Sequence, residues 1–164
     1  MAMKSAVDER VNHDILEGRA RSIAALFRDR VSRSGNREAF QYFHNGHLQS
    51  VTWSAARDRV YDMAAGLMSL GLTIEDRVAI ASTTRYEWAL ADLGVMCSGG
   101  ATTTVYPTTM AEDVAYILGD SGSRFVFAED DGQVEKLRTH RHDMPNVVKV
   151  IVFNGEAPSG DEEG

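Results

Sequence analysis

The apolar positions of this chain change their spacing several times, and each change marks an element. From Ser22 onward Ile23, Leu26, Phe27 and Val31 follow one face of a helix, with Ser22 placed to cap it and Ser34-Gly35-Asn36 to end it. Residues 39–43 and 48–52 read as strands on either side of His44-Asn45-Gly46-His47. Asn-Gly between two such runs predicts a hairpin closed by a type I′ turn. A second helix starts at Thr52 or Ser54 and buries Val60, Met63, Ala64, Leu67 and Leu70. It stops at Gly71, which suits the left-handed backbone that follows a helix end. Residues 72–76 are a turn into the most informative stretch of the chain.

That stretch runs from Arg77 to Thr109. A short apolar strand at 78–81, a helix over about 85–97 and a strand at 101–105 form a βαβ unit, whose crossover sets its two strands parallel. Between Trp88 and Met96 the only charged residue of the helix is Asp92. A helix that apolar nearly all round is normally covered on both sides, so it is expected to pack on its sheet and on a second layer. Beyond Thr109 the alternation continues. A helix at 110–119 turns Val114, Ile117 and Leu118 inward, Arg124-Phe125-Val126-Phe127-Ala128 is a near-continuous apolar strand, and a helix at 132–140 and a strand at 147–153 follow. The sum is an α/β fold: a mostly parallel sheet with helices on both faces, plus an N-terminal β-hairpin. In such sheets ligands bind beyond the carboxyl ends of the strands. The loops to watch are therefore 82–85, 106–109, 129–132 and 154 onward.

Composition narrows the classes. The 164 residues suit one domain, read as 19–153, with a polar, disordered arm at 1–18 and a flexible loop at 154–164. A formal charge of −7 argues against broad binding to nucleic acid, which needs a basic surface. No apolar run approaches the length of a membrane span, and the polar start has no signal-peptide core. Cys97 is the single cysteine, so no intrachain disulfide forms. It reads as a small buried hydrophobe in a reducing compartment, and the expected location is cytoplasmic.

Candidate chemistry is sparse. Neither GxGxxG nor GxxxxGK[ST] occurs, and Gly99-Gly100 precedes a strand where a phosphate cradle would precede a helix. Thr102-Thr103-Thr104 and Tyr106-Pro107-Thr108-Thr109 offer hydroxyls to a polar ligand; strand-forming threonines with an N-cap for the next helix are the simpler reading. Glu129-Asp130-Asp131 has the acidity of a Mg²⁺ site, but carboxylates at a helix start are favoured by its dipole without any metal. His44 with His47, and His140 with His142, lack further ligands nearby in sequence and read as surface histidines. No serine carries a nucleophile elbow. Trp53 and Trp88 read as packing anchors, and Arg85 with Glu87 as a structural ion pair.

Val51-Thr52-Trp53, Ala65-Gly66-Leu67, and Gly71-Leu72 running on to Asp76-Arg77-Val78-Ala79-Ile80 together resemble the N-terminal region of the adenylate-forming acyl-CoA synthetases. Ser82-Thr83-Thr84-Arg85-Tyr86-Glu87-Trp88, the run from Gly100 to Val105-Tyr106, and Tyr116-Ile117-Leu118 with Asp120-Ser121-Gly122 are most similar to bacterial, particularly actinobacterial, long-chain fatty-acid–CoA ligases. The similarity covers about residues 22–153. It implies a two-step reaction in which ATP and a fatty acid give an acyl-adenylate and pyrophosphate, and CoA then gives the thioester and AMP. ATP, Mg²⁺ and CoA are the cofactors it implies for the parent enzyme, with none held tightly by this piece.

The resemblance also implies what these residues lack. The family's Ser/Thr/Gly-rich phosphate loop ending in Pro-Lys-Gly, its Tyr-Gly-x-Thr-Glu segment, its hinge and its C-terminal-domain lysine do not occur here. The chain is thus expected to be an N-terminal fragment, inactive alone, whose first partner is the remainder of its parent enzyme, with a fatty acid as the parent's substrate. No catalytic residue is assigned. Tyr106, Pro107 and Thr108 match the loop that in related ligases lies near the entry of the CoA nucleotide, although some short-chain relatives have glycines there. An apolar face made for the rest of the enzyme predicts self-association as a two-fold dimer. The alternatives are a fragment of an aryl-CoA ligase, a fatty-acyl-AMP ligase or an adenylation domain, or a stand-alone α/β binding module.

Overall fold

The computed structural model describes residues 17–155. The expected arm at 1–18 falls outside the described residues up to position 16, and the expected terminal loop does so from position 156.

Helix α1 (Ile23–Ser34) is capped by Ser22, whose hydroxyl accepts from the Ala25 amide, and it buries Phe27 and Val31. Ile23 and Leu26, expected on the same inward face, stay about half exposed. Strands β1 (Glu38–His44) and β2 (His47–Thr52) form a two-stranded antiparallel sheet. Asn45 and Gly46 both have positive φ, as a type I′ turn requires, and His44 stands opposite His47. Helix α2 (Trp53–Ser69) takes Thr52 as its cap, through the Ala55 amide. At its far end Gly71 adopts φ 91°, its N–H reaching the Met68 carbonyl while the Leu72 N–H reaches Leu67. This is a Schellman ending, which satisfies two carbonyls the helix would otherwise leave orphaned. Leu70, read as part of the buried stripe, lies at that ending and is 46% exposed.

The main sheet joins β3 (Arg77–Ala81), β4 (Ala101–Val105), β5 (Phe125–Ala128) and β6 (Lys149–Val152) in the order β4-β3-β5-β6, all parallel. Helices α3 (Tyr86–Cys97), α4 (Ala111–Ser121) and α5 (Asp131–Thr139) make the crossovers. The period-2 alternation of strand side chains separates two cores. Val78, Ile80, Phe125 and Phe127 pack on one face with Leu67, Ala91 and Val95. Ala79, Ala81 and Val126 pack on the other with Val114, Leu118 and Leu137. α3 therefore covers one face while α4 and α5 cover the other, the double winding that crossovers of a single hand demand when the chain first runs from β3 out to β4 and then back past it to β5.

The second layer expected over α3 comes from the same chain. α1 and α2 lie on it, and a third cluster joins Phe27, Val31, Ala56, Val60, Tyr86 and Leu90. Gly94 is what lets α2 come so close, since a Cβ there would stand 3.0 Å from the Cβ of Met63. No residue of α3 is fully exposed. The hairpin leans on the same cluster: Tyr42 stacks on Tyr86 with ring centroids 4.3 Å apart, and Phe40 and Phe27 flank Trp53. Trp53 is thus the packing anchor its position suggested. Arg30 lies over its ring.

Candidate functional site

The double winding leaves its switch point between β3 and β5, where the two crossovers part to opposite faces of the sheet, and in open α/β sheets that crevice takes ligands. Here a polar clasp spans it. The Thr83 amide and hydroxyl, in the loop after β3, donate to the two carboxylate oxygens of Glu129, at the end of β5, at 2.7 and 2.8 Å. Arg85, the residue before α3, donates from Nε to Glu87 at 2.7 Å and from a terminal nitrogen to the Asn154 side-chain oxygen at 3.1 Å. Its other terminal nitrogen stands 3.6 Å from Glu129. Asn154 also donates its backbone N–H to the Glu129 carbonyl. One guanidinium and one carboxylate thus tie together the loops after β3, β5 and β6.

The charges of the clasp stabilise one another. Burial alone works against ionisation of Glu129, but the Thr83 amide and hydroxyl and the Arg85 charge outweigh it and hold the carboxyl below its ordinary value. Glu87 follows the same pattern: burial opposes its charge, Arg85 more than offsets that, and His44 at the hairpin tip adds attraction when protonated. Sequence pattern found the Arg85–Glu87 pair. It missed Glu129 as the hub, because a partner 46 residues from Thr83 leaves no local signature.

The acidic run after β5 divides its work. Asp130 caps α5, its carboxylate accepting from the Gln133 amide, so the helix-cap reading holds for that residue. Among the described residues no group of three or more His, Cys, Asp and Glu is placed to hold a metal ion. His140 pairs with Asp143 at 3.2 Å, and Cys97 is half-buried, its thiol pushed up in pKa by burial. The Thr102-Thr103-Thr104 run lies in β4, as strand propensity suggested. The expected N-cap threonine does not occur: the residue before α4 is Met110, with no side-chain cap, and Glu112 and Asp113 in the first turn face the positive end of the helix instead.

Tyr106, Pro107 and Thr108 lie at the carboxyl end of β4, an edge strand among the described residues. The Thr109 amide donates to the Tyr106 carbonyl and closes a four-residue turn with proline in its second position, where a fixed φ suits the turn. Tyr106 is 74% exposed and Thr108 is exposed, whereas Pro107 is half-buried with its carbonyl occupied by two side chains of α5, Gln133 and Lys136. The turn thus offers one aromatic ring and one hydroxyl to whatever lies beyond this edge. No helix among the described residues is long and apolar enough to cross a membrane.

A doubly wound parallel sheet with a leading hairpin and a tied switch point defines a class, and the comparisons place the chain within it. A family model described as AMP-binding enzyme matches residues 27–163, and the chain belongs to that family. It is 34% identical over 120 residues to the long-chain-fatty-acid–CoA ligase FadD15 of Mycobacterium tuberculosis, a match covering 73% of this chain and 20% of that protein. It is 29% identical over 131 residues to the long-chain-fatty-acid–CoA ligase ACSBG2 of Rattus norvegicus, covering 80% of this chain and 20% of that one. Among solved structures, a putative long-chain-fatty-acid CoA ligase from Rhodopseudomonas palustris superposes with a TM-score of 0.73 at 25% identity, over 84% of this chain and 34% of its own. The anthranilate CoA ligase AuaEII, solved with anthranoyl-AMP, superposes at 0.75 with 15% identity, over 85% of this chain and 26% of its own, which speaks for the fold alone. The chain spans about one fifth of the length of the curated relatives it matches.

Proposed function

We propose that these residues form an N-terminal subdomain, 19–153, of a long-chain-fatty-acid–CoA ligase that converts ATP, a fatty acid and CoA to acyl-CoA, AMP and pyrophosphate through an acyl-adenylate. The observation that carries this reading is the 34% identity to FadD15 over 120 residues, supported by the family match over 27–163. The subdomain's part is architectural: it supplies the sheet, the tied switch point and the Tyr106–Thr108 edge, with Tyr106 and Thr108 facing the CoA nucleotide and Pro107 shaping the turn. The phosphate chemistry belongs to the remainder of the enzyme, its first partner. Mg²⁺, which accompanies the ATP chemistry, is assigned to that remainder as well. Taken alone, the 164 residues do not adenylate fatty acids. A cytoplasmic location, with peripheral membrane contact of the parent enzyme, fits the lipid substrate.

Two assays test the proposal. The purified chain is incubated with ATP, palmitate and labelled pyrophosphate; ATP–pyrophosphate exchange above background refutes the subdomain reading. Residues 27–153 are also exchanged for the matching segment of M. tuberculosis FadD15. The chimera is expected to form palmitoyl-CoA, and a folded, monodisperse chimera that adenylates no carboxylate overturns the assignment. The exposed apolar side chains, among them Phe43, Leu48, Tyr106 and Met110, suit a surface made for the remainder of the enzyme. In the isolated chain we expect them to drive a two-fold dimer, which a monomeric mass by light scattering at high concentration would contradict.

A further inference from the structure

We infer that Lys136 is a positioning residue for the turn after β4, holding the Tyr106 ring and the Thr108 hydroxyl at the edge presented to CoA; the second half of this rests on the proposed reading of that edge. The Lys136 ammonium, in the last turn of α5, donates to the Pro107 carbonyl at 2.6 Å and to the Thr109 carbonyl at 2.9 Å. Among the described residues no carboxylate pairs with it. A half-buried ammonium spending two of its donors on two neutral backbone oxygens of one turn, 27 and 29 residues away, fixes the path of that turn.

The geometry of the sheet shows why the turn needs a latch. Among the described residues β4 is bordered only by β3, and past Val105 no described strand pairs with the backbone on either side. Its carbonyls must find donors elsewhere or turn to water. The single backbone bond within the turn, from Thr109 N–H to Tyr106 O, closes it without anchoring it to the domain. α5 supplies the anchor with two residues three apart on one face, Gln133 and Lys136. Their shares differ. Gln133 reaches only Pro107, at 3.2 Å, and its own buried Oε1 has no partner, whereas Lys136 is the only described side chain bonded to the Thr109 carbonyl. Loss of Lys136 therefore leaves the Pro107 end held by glutamine and releases the Thr109 end.

The test uses K136M, K136Q and K136R in two settings. In the 164-residue chain, hydrogen exchange at the Thr109 amide is expected to quicken about tenfold in K136M and K136Q, the scale set by losing a charge-assisted bond, and to return toward the parent value in K136R, which keeps donors for both carbonyls. Unchanged exchange in K136Q, with the helices intact by circular dichroism, overturns the latch. In the FadD15 chimera, K136M is expected to raise KM for CoA severalfold, with kcat and the KM values for ATP and palmitate within twofold. Y106A and T108A in the same chimera separate the two possible failures. If they raise KM for CoA and K136M does not, the positioning role is wrong. If none of the three moves it, the CoA-facing reading of the edge is wrong, while the exchange result still decides the latch.

Discussion

Replacing Glu129 by alanine removes the hub of the clasp while leaving both hydrophobic cores alone. Its carboxylate accepts two hydrogen bonds from Thr83 and stands near Arg85, with the side chain only 16% exposed. A hydrogen bond to a charged group contributes about 1.5–3 kcal/mol where water cannot replace it. Thr83 lies at the surface, so water partly re-satisfies its donors, and the expected loss lies near the low end, about 2 kcal/mol. For a domain of this size that lowers Tm by about 5–8 °C. Thermal and urea unfolding of E129A, E129Q, T83V and the double variant T83V/E129Q isolate the pair. The double-mutant cycle is expected to give a coupling of about 1 kcal/mol. A Tm for E129A within about 1 °C of the parent, or additive single variants, would refute the idea that this carboxylate ties the switch point shut.

The remaining expectations use other parts of the fold. The carboxyls of Glu129, Glu87 and Asp76 are all held below their ordinary values: the first two because Thr83 and Arg85 outweigh burial, the third chiefly through the Thr73 amide. Each contributes stability that is complete above its unfolded value, near 4, and is lost as pH falls through the lower folded value, so urea midpoints should hold steady from pH 7 to 5 and drop below about pH 4, less steeply in E129Q. Gly94→Leu forces α2 and α3 apart and should cost about 3 kcal/mol by urea unfolding, because the obstructing Met63 Cβ moves only with its backbone. Phe125→Ala, in a fully buried strand, should cost about 3–5 kcal/mol. Gly71→Ala meets no side chain but must hold φ 91°, which costs about 1 kcal/mol and leaves the core unchanged.

Element types were legible because local and tertiary preferences agree along most of the chain. Ser22 and Thr52 cap the helices they precede, Asn45-Gly46 makes the turn its dipeptide prescribes, and the Phe125–Ala128 strand is buried on both faces as its unbroken apolar run demands. The departures occur where a helix ends or faces out. Ile23, Leu26 and Leu70 continue an apolar stripe into water, since periodicity records which residues share a face and not how far the neighbouring layer extends. Thr109 looked like a cap but lies one residue too early, its amide spent on the turn to Tyr106 and its carbonyl on Lys136. The candidate site was less legible. Arg85 and Glu87 are two residues apart and announce themselves, whereas Thr83–Glu129, Arg85–Asn154 and Lys136–Pro107 join residues 46, 69 and 29 apart that meet only once the sheet has been wound.

The covering of α3 changes which surface calls for a partner. An apolar helix in the middle of a short chain suggests a missing neighbour, yet α1, α2 and the hairpin supply that neighbour, and Tyr86, Leu90, Ala91, Gly94 and Val95 are all buried without help from outside. Among the apolar side chains that remain in water, which include Ile74 and Tyr116, Phe43 and Leu48 lie beside the hairpin turn and Tyr106 and Met110 around the turn after β4. Those two places share a physical trait: each is a loop held in shape from behind, the first by the stack of Tyr42 on Tyr86, the second by Lys136 and Gln133. A loop whose only duty is to connect gains nothing from a fixed path or from an exposed ring, and water would erode both. Ordered loops carrying uncovered aromatic side chains are what the proposed subdomain reading expects at its edges, while the central helix is covered from within the chain.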